Sequence, residues 1–217
     1  RMSDETKAPP RGRGTRQEAI REAAQRLFLA HGFAGTTTDA ITTAAGVSKE
    51  TLYRYYPGKE AIFADVLGRL TLDRPESSPL AVLDGAEPAS AAELRRLLAD
   101  LATRVSAVMF LPDYLALVRI TIAEASRFPE LGALYRERVP ERTFAAVEDL
   151  FRRSQERGVI APTDARAAAF LFLGPLVTRL VFDGLLAPGG EPRAPSPADL
   201  ETLVDLVMNA LTGPVPR

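Results

Sequence analysis

The sequence predicts an all-α fold with a small N-terminal unit and a larger helical body. Within each long segment, apolar residues recur three and four positions apart, which is the spacing of one buried helix face. Glycine and proline separate these segments, and the alternation that marks a β-strand is not seen in the sequence. With 217 residues, the chain is long enough to bury a substantial core.

The first predicted helix follows a polar N-terminal segment. Residues 1–14 are basic and contain several glycines and prolines, so we expect a disordered arm. The helix extends from residue 15 to Gly32, where glycine can take the positive φ that ends a helix. Its buried face is predicted to consist of Ile20, Ala23, Ala24, Leu27 and Phe28.

Two short helices joined by a tight turn are predicted next. Thr38 can cap the first, Gly46 fits the left-handed turn after it, and Ser48 is a suitable N-cap for the second. The second helix has Leu52 and Tyr56 four positions apart on its inner side. Its outward residues are Lys49, Glu50, Tyr53 and Arg54. This arrangement is typical of a helix-turn-helix recognition helix, and an ordinary helical hairpin with a solvated face is the alternative.

The rest of the chain is predicted to be helical with two loops. A helix over residues 58–72 links the N-terminal unit to the body, and residues 73–90 form a proline-containing loop or linker. Residues 187–197 form the second loop. We expect the body helices at 91–110, 113–127, 129–158, 164–186 and 197–211. Pro140 lies within one of these helices and predicts a kink or a local break there.

The segment 164–186 is apolar around most of its circumference. A transmembrane span is the alternative interpretation, but a glycine, Pro175 and Arg179 interrupt the run, which falls short of the roughly 20 apolar residues that a span needs. A helix of this kind must be covered on two sides, by its own core and by a second surface. Leu180 and Val207, on the last two helices, are candidates for that second surface, and the body's own core is the alternative.

Three pieces of the N-terminal unit carry a resemblance to a known family. They are AAQRLFLAHGFAGTTTDAI, AAGVSKETLYRYY and GKEAIFADVL, which lie within residues 17–67. This region closely resembles the DNA-binding domain of the tetracycline-repressor (TetR) family of transcriptional regulators. The resemblance implies a three-helix, helix-turn-helix DNA-binding domain over residues 15–58. It also implies a larger C-terminal helical domain, for ligand binding and dimerisation, over residues 59–217.

The resemblance implies the partners as well. A homodimer formed through the helices at 164–186 and 197–211 would place two recognition helices in successive major grooves of double-stranded operator DNA, about 34–36 Å apart. A small-molecule effector bound in the body would change that spacing. Arg11, Arg13 and Arg16 could reach into a minor groove, and a solvated tail is the alternative.

By the same resemblance, two groups of side chains meet DNA. The phosphate donors would be Thr37, Thr38, Thr51, Tyr55 and Lys59, and the base-reading positions would be Asp39, Lys49, Glu50, Tyr53 and Arg54. Short hydroxyl side chains near helix N-termini are suited to phosphate. Arg54 and Lys49 could donate to guanine, while Glu50 could accept from cytosine. Pairing of Asp39 or Glu50 with a neighbouring basic residue is the alternative.

The resemblance places the effector among the middle helices of the body. The inward residues expected there are Phe110, Tyr114, Leu117, Val118, Arg119, Phe144, Phe151 and Phe170. Apart from Arg119 these side chains are apolar or aromatic, so we expect an apolar or aromatic effector of drug size, and an anionic one if Arg119 faces the cavity. Ordinary core packing is the alternative for each aromatic residue, and ordinary ion pairing is the alternative for Arg119.

Composition limits the other functional classes. The chain has no cysteine and one histidine, which argues against disulfides, thiolate metal sites and Ser–His catalysis, and we expect neither a metal nor a cofactor. Residues 1–70 contain 11 basic and 8 acidic side chains, and the remainder 16 and 20, which fits an N-terminal unit that meets a polyanion. Because no secretory signal or membrane span is recognised, a cytoplasmic location is expected.

A ligand-responsive transcriptional regulator, most often a repressor in this family, is the leading prediction. A DNA-binding architectural protein without a ligand is the first alternative, and a lined cavity near Tyr114 and Phe144 would distinguish the two. A helical enzyme is the second alternative, although no paired catalytic residues, phosphate loop or metal-ligand cluster is found in the sequence.

Overall fold

The computed structural model describes residues 13–71, 78–187 and 191–213, and all regular structure in these ranges is helical. The α-helices are α1 Arg13–His31, α2 Thr38–Ala45, α3 Lys49–Tyr55, α4 Lys59–Thr71, α5 Ala91–Met109, α6 Pro112–Glu124, α7 Pro129–Arg136, α8 Arg142–Glu156, α9 Ala165–Arg179 and α10 Pro197–Thr212. A 3-10 helix spans Pro79–Leu83, and two π-helical segments span Glu137–Glu141 and Leu180–Leu185. The predicted all-α fold is confirmed.

The chain divides into two compact units, and the division falls between Val66 and Leu67, inside α4. The sequence predicted a domain boundary between residues 58 and 59, which is the start of α4. That boundary stays a prediction. Most of the predicted N-terminal arm lies outside the described residues. Its last two residues, Arg13 and Gly14, form the first positions of α1, because the cost of one glycine in a helix, about 1 kcal/mol, does not prevent extension of a helix that continues after it.

The core of the N-terminal unit is built from aromatic side chains of α1, α4 and the loop between α1 and α2. The ring centroids of Phe28 and Phe63 lie 4.9 Å apart, and Phe33 contacts both rings at 5.8 and 5.5 Å. Phe33 can turn back onto α1 because Gly32 takes a φ of 70° at the end of that helix. This cluster fixes the support on which the two short helices α2 and α3 rest.

The core of the body lies between four helices. α8 packs on α9, α5 packs on α10, and α9 packs on α10. The apolar side chains buried among them include Leu94, Leu98, Leu101, Val147, Leu150, Phe151, Phe172, Leu173, Leu176, Leu200, Val204 and Val207. Burial of this many large apolar side chains is the main stabilising contribution to the body.

Part of the predicted loop 73–90 is ordered as the 3-10 helix. The side chain of Ser78 accepts a hydrogen bond from Leu80 N–H, and Pro79 occupies the first helical position, where a missing N–H costs nothing. Pro79 and Leu83 are buried, and the segment packs against α5. The hydrophobic run PLAVL therefore overrides the loop character of its proline-rich surroundings.

The local break predicted at Pro140 takes the form of a π-helical turn. Proline has no N–H, so it cannot make the usual hydrogen bond to the carbonyl one turn back. The chain widens over Glu137–Glu141 and then continues directly into α8. This widening keeps α7 and α8 on one continuous path while Val139 stays buried.

The segment Ala165–Leu185 is long and apolar enough to cross a membrane, with a mean hydropathy of 1.6, and core helices of folded proteins share these properties. One side of it enters the body's core through Ala168, Phe172 and Leu176. The other side exposes large apolar side chains, namely Phe170, Leu171, Val177, Phe182 and, just beyond it, Leu186. Leu180 and Val207 are both buried inside the body, so the alternative interpretation, that they face the body's own interior, is correct, and Val207 belongs to its core.

Candidate functional site

The turn between α2 and α3 has the geometry that its sequence predicts. Gly46 lies in the left-handed region with a φ of 64°, and the N–H of Val47 then closes the helix by donating to Thr42 O. Ser48 caps α3, because its Oγ accepts from the Thr51 N–H at 3.1 Å. The N-cap of α2 is Thr37 rather than the predicted Thr38, since Thr37 Oγ1 accepts from the Ala40 N–H.

The face of α3 that points away from the unit is polar. Leu52 and Tyr56 are buried, as predicted from their spacing. The side chains left outside include Lys49, Glu50, Tyr53 and Arg54, and Tyr53 is exposed over 52% of its surface. Thr51 and Tyr55 are half-buried at the border of this face. A short helix therefore presents long donors, an acceptor and an aromatic ring to solvent on one side.

One ion pair crosses this surface. Lys49 Nζ lies 2.7 Å from Asp39 Oδ1, which joins the start of α3 to the first turn of α2. The hydrogen bond to Asp39 and the charge of that carboxylate raise the pKa of Lys49. Two interpretations of Asp39 were open, base reading and pairing with a neighbouring basic residue. In the structure Asp39 pairs with Lys49. Glu50 is exposed at the next position, and Arg54 lies with its guanidinium 5.6 Å from the centroid of Tyr55.

Lys59 fixes the loop that precedes α2. Its ammonium group donates to the carbonyl oxygens of Phe33 and Thr36, at 2.7 and 2.9 Å, and lies 4.2 Å from the centroid of the Phe33 ring. The loop also needs Gly35, because a Cβ at that position would come 2.3 Å from the His31 carbonyl oxygen. Lys59 thereby holds the backbone that leads into Thr37 and Thr38.

A polar network beneath α3 was not predicted from the sequence. The carboxylate of Asp65 on α4 accepts from Arg21 Nε on α1 at 2.9 Å, and it also accepts from the Tyr56 hydroxyl, at the end of α3. Burial and the bond to Asp65 raise the pKa of Tyr56. The sequence does place one charged residue within the apolar face of each helix, Arg21 after Ile20 in α1 and Asp65 between two buried residues in α4. It does not show that these two charges meet in the folded chain.

The body contains an apolar cavity of about 270 Å³. It is lined by Thr71, Pro79, Val105, Val108, Met109, Tyr114, Tyr135, Val139, Pro140, Thr143, Phe144, Leu173, Leu176, Val177 and Leu180. Of the eight residues predicted for an effector pocket, Tyr114 and Phe144 are among them. A space lined mostly by aliphatic and aromatic side chains can hold a small apolar molecule.

The other six predicted pocket residues lie elsewhere. Leu117 and Val118 are buried on α6, and Phe151 packs edge-on against Phe172 in the core. Phe170 is half-exposed, with its ring 4.5 Å from that of Phe144. Phe110 ends α5 and lies beside Gly184. Helical spacing indicated that these side chains face inward or pack together, but it could not distinguish the core from the cavity wall.

Arg119 does not line the cavity. Its guanidinium donates to the carbonyl oxygens of Gly184 and Leu185, at 2.9 and 3.2 Å. These carbonyls lie at the end of the π-helical segment that follows α9, where unpaired backbone acceptors and the helix dipole favour a cation. An anionic effector was expected only if Arg119 faced the cavity, and this condition is not met.

Tyr135 is a cavity residue that was not predicted. Its hydroxyl lies 2.9 Å from that of Tyr114, so the two form a hydrogen-bonded pair. Burial raises the pKa of both tyrosines. Tyr135, Val139 and Thr143 recur at every fourth position across the π-helical turn, which was the available signal for a shared face.

Two buried tyrosines and one half-buried tyrosine, Tyr135, predict a loss of stability at alkaline pH. The pKa values of Tyr56, Tyr114 and Tyr135 are raised in the folded chain, while an unfolded chain loses these protons at about pH 10. Below that pH both states are protonated, and above it only the unfolded state ionises, so stability falls as pH rises from about 10 towards the folded pKa values. Each tyrosine contributes up to about 1.4 kcal/mol per pH unit in that window.

Urea unfolding between pH 8 and 11 tests this expectation. The double variant Tyr114→Phe/Tyr135→Phe should lose stability less steeply than the wild type above about pH 10. Tyr53→Phe, at an exposed position of α3, is the matched control. Equal slopes for the wild type and the double variant would show that burial of these hydroxyls does not govern the alkaline transition.

Comparison with known proteins matches both units to bacterial regulators. Residues 20–66 match the family described as bacterial regulatory proteins of the tetR family, and residues 96–210 match the C-terminal domain of AefR-like transcriptional repressors. The HTH-type transcriptional regulator YhgD of Bacillus subtilis is 26% identical over 196 residues, which covers 88% of this chain and 92% of YhgD. Several other curated regulators align over only 26% to 32% of their own length.

Solved structures agree over nearly the whole chain. A TetR transcriptional regulator from Agrobacterium tumefaciens is 26% identical with a TM-score of 0.70, and the match covers 90% of this chain and 94% of that one. The structure titled flavonoid-responsive regulator FrrA is 29% identical with a TM-score of 0.65, covering 92% of this chain and 98% of that one.

Proposed function

Because the chain belongs to the TetR family of bacterial transcriptional regulators, we propose that it binds operator DNA as a homodimer and releases it when a small molecule occupies the cavity of its body. The observation that carries this proposal is the pairing of two features in one chain. A capped, outward-facing recognition helix follows a glycine turn in the N-terminal unit, and a lined apolar cavity lies in the other. Family membership also decides against the helical enzyme, because members of this family are regulators.

In the proposed complex, α3 enters the major groove. Arg54, Tyr53 and Glu50 read base edges from its exposed face, while the start of α2 meets the phosphates through Thr37 and Thr38. The N–H groups at that helix start favour an anion, which supports the assignment. Thr51, Tyr55 and Lys59 are proposed to complete the phosphate contacts, and Lys59 has the further role of bracing the loop before α2.

The proposed dimer forms through α9, the π-helical segment after it, and α10. The apolar side chains that these elements expose are Phe170, Leu171, Val177, Phe182, Leu186 and Leu206. Contiguous apolar side chains on a protein surface favour association. The ion pair between Arg179 and Asp199, with atoms 3.2 Å apart, holds α9 and α10 together as one surface.

The cavity favours a ligand-responsive regulator over an architectural protein, which would need no such space. Its position beside Tyr114 and Phe144 meets the criterion set from the sequence. FrrA, which is described as flavonoid-responsive, shows that a relative at 29% identity responds to an aromatic compound. For this chain we propose an apolar or aromatic effector of small size.

Selection of bound duplexes from a random pool tests the DNA-binding proposal. We expect a pseudo-palindromic site, with affinity that falls steeply as salt rises because phosphate contacts release counterions. A screen of small molecules for release of the selected duplex then tests the effector. Equal affinity for the selected duplex and for random duplex would overturn the proposed function.

Arg54→Ala is expected to weaken binding to the selected site by about 1–3 kcal/mol and to relax preference at particular base pairs. The reason is that an arginine can donate two hydrogen bonds to one guanine, and alanine cannot. Competition binding with single-base variants of the site measures both effects. Arg96→Ala, at an exposed position of α5, is the matched control and should leave affinity and preference unchanged.

A further inference from the structure

The polar atoms of the cavity are few and uncharged. Among its described lining residues, oxygen-bearing side chains come only from two threonines and two tyrosines, Thr71, Thr143, Tyr114 and Tyr135. Neither a carboxylate nor a cationic group belongs to this lining. A charged ligand would therefore lose its hydration without gaining an ionic partner, which is costly in an apolar space.

The hydroxyl protons of the two threonines are already committed. Thr71 Oγ1 donates to Leu67 O at 2.9 Å, and Thr143 Oγ1 donates to Val139 O at 2.9 Å. Each threonine oxygen keeps lone pairs, so it can accept a hydrogen bond but has no proton to give. The threonines cannot donate to a ligand in this arrangement.

The tyrosine pair has one proton to spare. Tyr114 and Tyr135 carry two hydroxyl protons, and one of these lies in the 2.9 Å bond between them. Within the described part of the chain, no acceptor for the second proton is seen. Tyr114 is buried and Tyr135 half-buried, and a donor that faces the apolar cavity without a partner costs free energy. The pair therefore favours a ligand that supplies an acceptor.

We propose that the effector is a neutral, mainly apolar molecule whose oxygen acceptor, such as a carbonyl, receives the spare proton of the Tyr114–Tyr135 pair. This inference rests on the proposed function, since it names the ligand of the proposed effector site. The aliphatic and aromatic wall contributes affinity without orientation, and the tyrosine pair fixes which end of the molecule points towards α6 and α7. An anionic effector is excluded by the lining and by the position of Arg119.

Three naphthalenes of almost one shape test the ligand class. 2-Acetylnaphthalene carries a carbonyl, 2-isopropenylnaphthalene replaces its oxygen with a CH₂ group, and 2-naphthoate is the anion. Calorimetric titration of the full chain should show the ketone binding about tenfold more tightly than the hydrocarbon, as for one net hydrogen bond. Naphthoate should bind more weakly than both.

The double variant Tyr114→Phe/Tyr135→Phe removes both hydroxyls, whereas either single variant would leave one proton to donate. In the double variant the affinity for the ketone should fall about tenfold, while the affinity for the hydrocarbon should not change. Tyr55→Phe, in the N-terminal unit, is the matched control and should bind all three probes like the wild type. Unchanged binding of the hydrocarbon also shows that the doubly substituted cavity is folded.

Three results would overturn the proposal. They are naphthoate binding as tightly as the ketone, a preference for ketone over hydrocarbon that persists in the double variant, and no binding of either neutral probe. The proposed function is tested separately by duplex selection. Release of a selected operator by naphthoate would leave the function standing and reject the ligand class, whereas failure to select any operator would reject the function even if the ketone binds.

Discussion

Leu206→Glu is expected to convert the homodimer to monomers and to lower operator affinity by at least roughly 100-fold, because a monomer engages one half-site and loses the avidity of two. Leu206 is exposed over 64% of its surface on α10. It lies beside Pro175 and Arg179 of α9, within the proposed interface, so a carboxylate there would be buried without a partner in the proposed dimer. The fold of the protomer should be unaffected, since the Leu206 side chain contributes little to the core of the protomer.

Sedimentation at micromolar concentration, together with binding to a two-half-site duplex, measures both effects. Ile122→Glu is the matched control, because Ile122 on α6 is exposed to a similar extent, 62%, and lies outside the proposed surface. A Leu206→Glu protein that still sediments as a dimer, or a wild-type chain that sediments as a monomer, would show that the interface lies elsewhere or does not form.

Asp65→Ala is expected to destabilise the N-terminal unit by about 3 kcal/mol, which is the scale for removing one partner of a buried ion pair. The side chains of Arg21 and Asp65 are exposed over only 13% and 17% of their surface. Without the carboxylate, the Arg21 guanidinium is left with Glu18 among the described residues, and the Tyr56 hydroxyl loses its acceptor. Since Asp65 joins α1, α4 and the end of α3, the recognition helix should lose its fixed position and operator affinity should fall with stability.

Hydrogen exchange of amides in α1 and α4 reports the stability of this unit separately from that of the body. Tyr56→Phe should cost about 1–2 kcal/mol, since it loses the hydroxyl's hydrogen bonds with Asp65 and Gln17 but keeps the ion pair. Asp100→Ala removes a pair with Arg104 in which both partners are nearly half exposed, and it should cost less than about 1 kcal/mol. An Asp65→Ala protein as stable as the Asp100→Ala protein would show that the buried network does not support the unit.

The helix-turn-helix was predictable because its signals are local. Gly46 supplies the left-handed backbone and Ser48 the cap, and both act within a few residues of themselves. The four-residue spacing of Leu52 and Tyr56 likewise defines the buried side of α3 without knowledge of its partner. Helix boundaries in the body follow for the same reason, since prolines and glycines mark them in the chain.

The cavity was harder to predict because it depends on which helices meet. Apolar spacing identified Tyr114 and Phe144, but Phe151 has the same spacing and lies in the core instead. Arg119 gave no sign that two backbone carbonyls of another helix would hold it. Tyr135 was missed because its neighbour in space, Tyr114, is distant in sequence. Pairings of this kind are a property of the packed structure, and one sequence does not specify them.

The ion pair between Asp39 and Lys49 has a consequence for how such a protein searches a chromosome. A regulator spends most of its search on duplex without its site, held there by attraction between cations and phosphates. Asp39 offsets the positive charge of Lys49 on the proposed DNA-binding surface, so we expect short residence on random sequence. An exposed pair contributes little to stability, so a good base partner for Lys49 can replace it at little cost. We therefore expect Asp39 to shorten encounters with the wrong sequence while leaving the correct site available to Lys49.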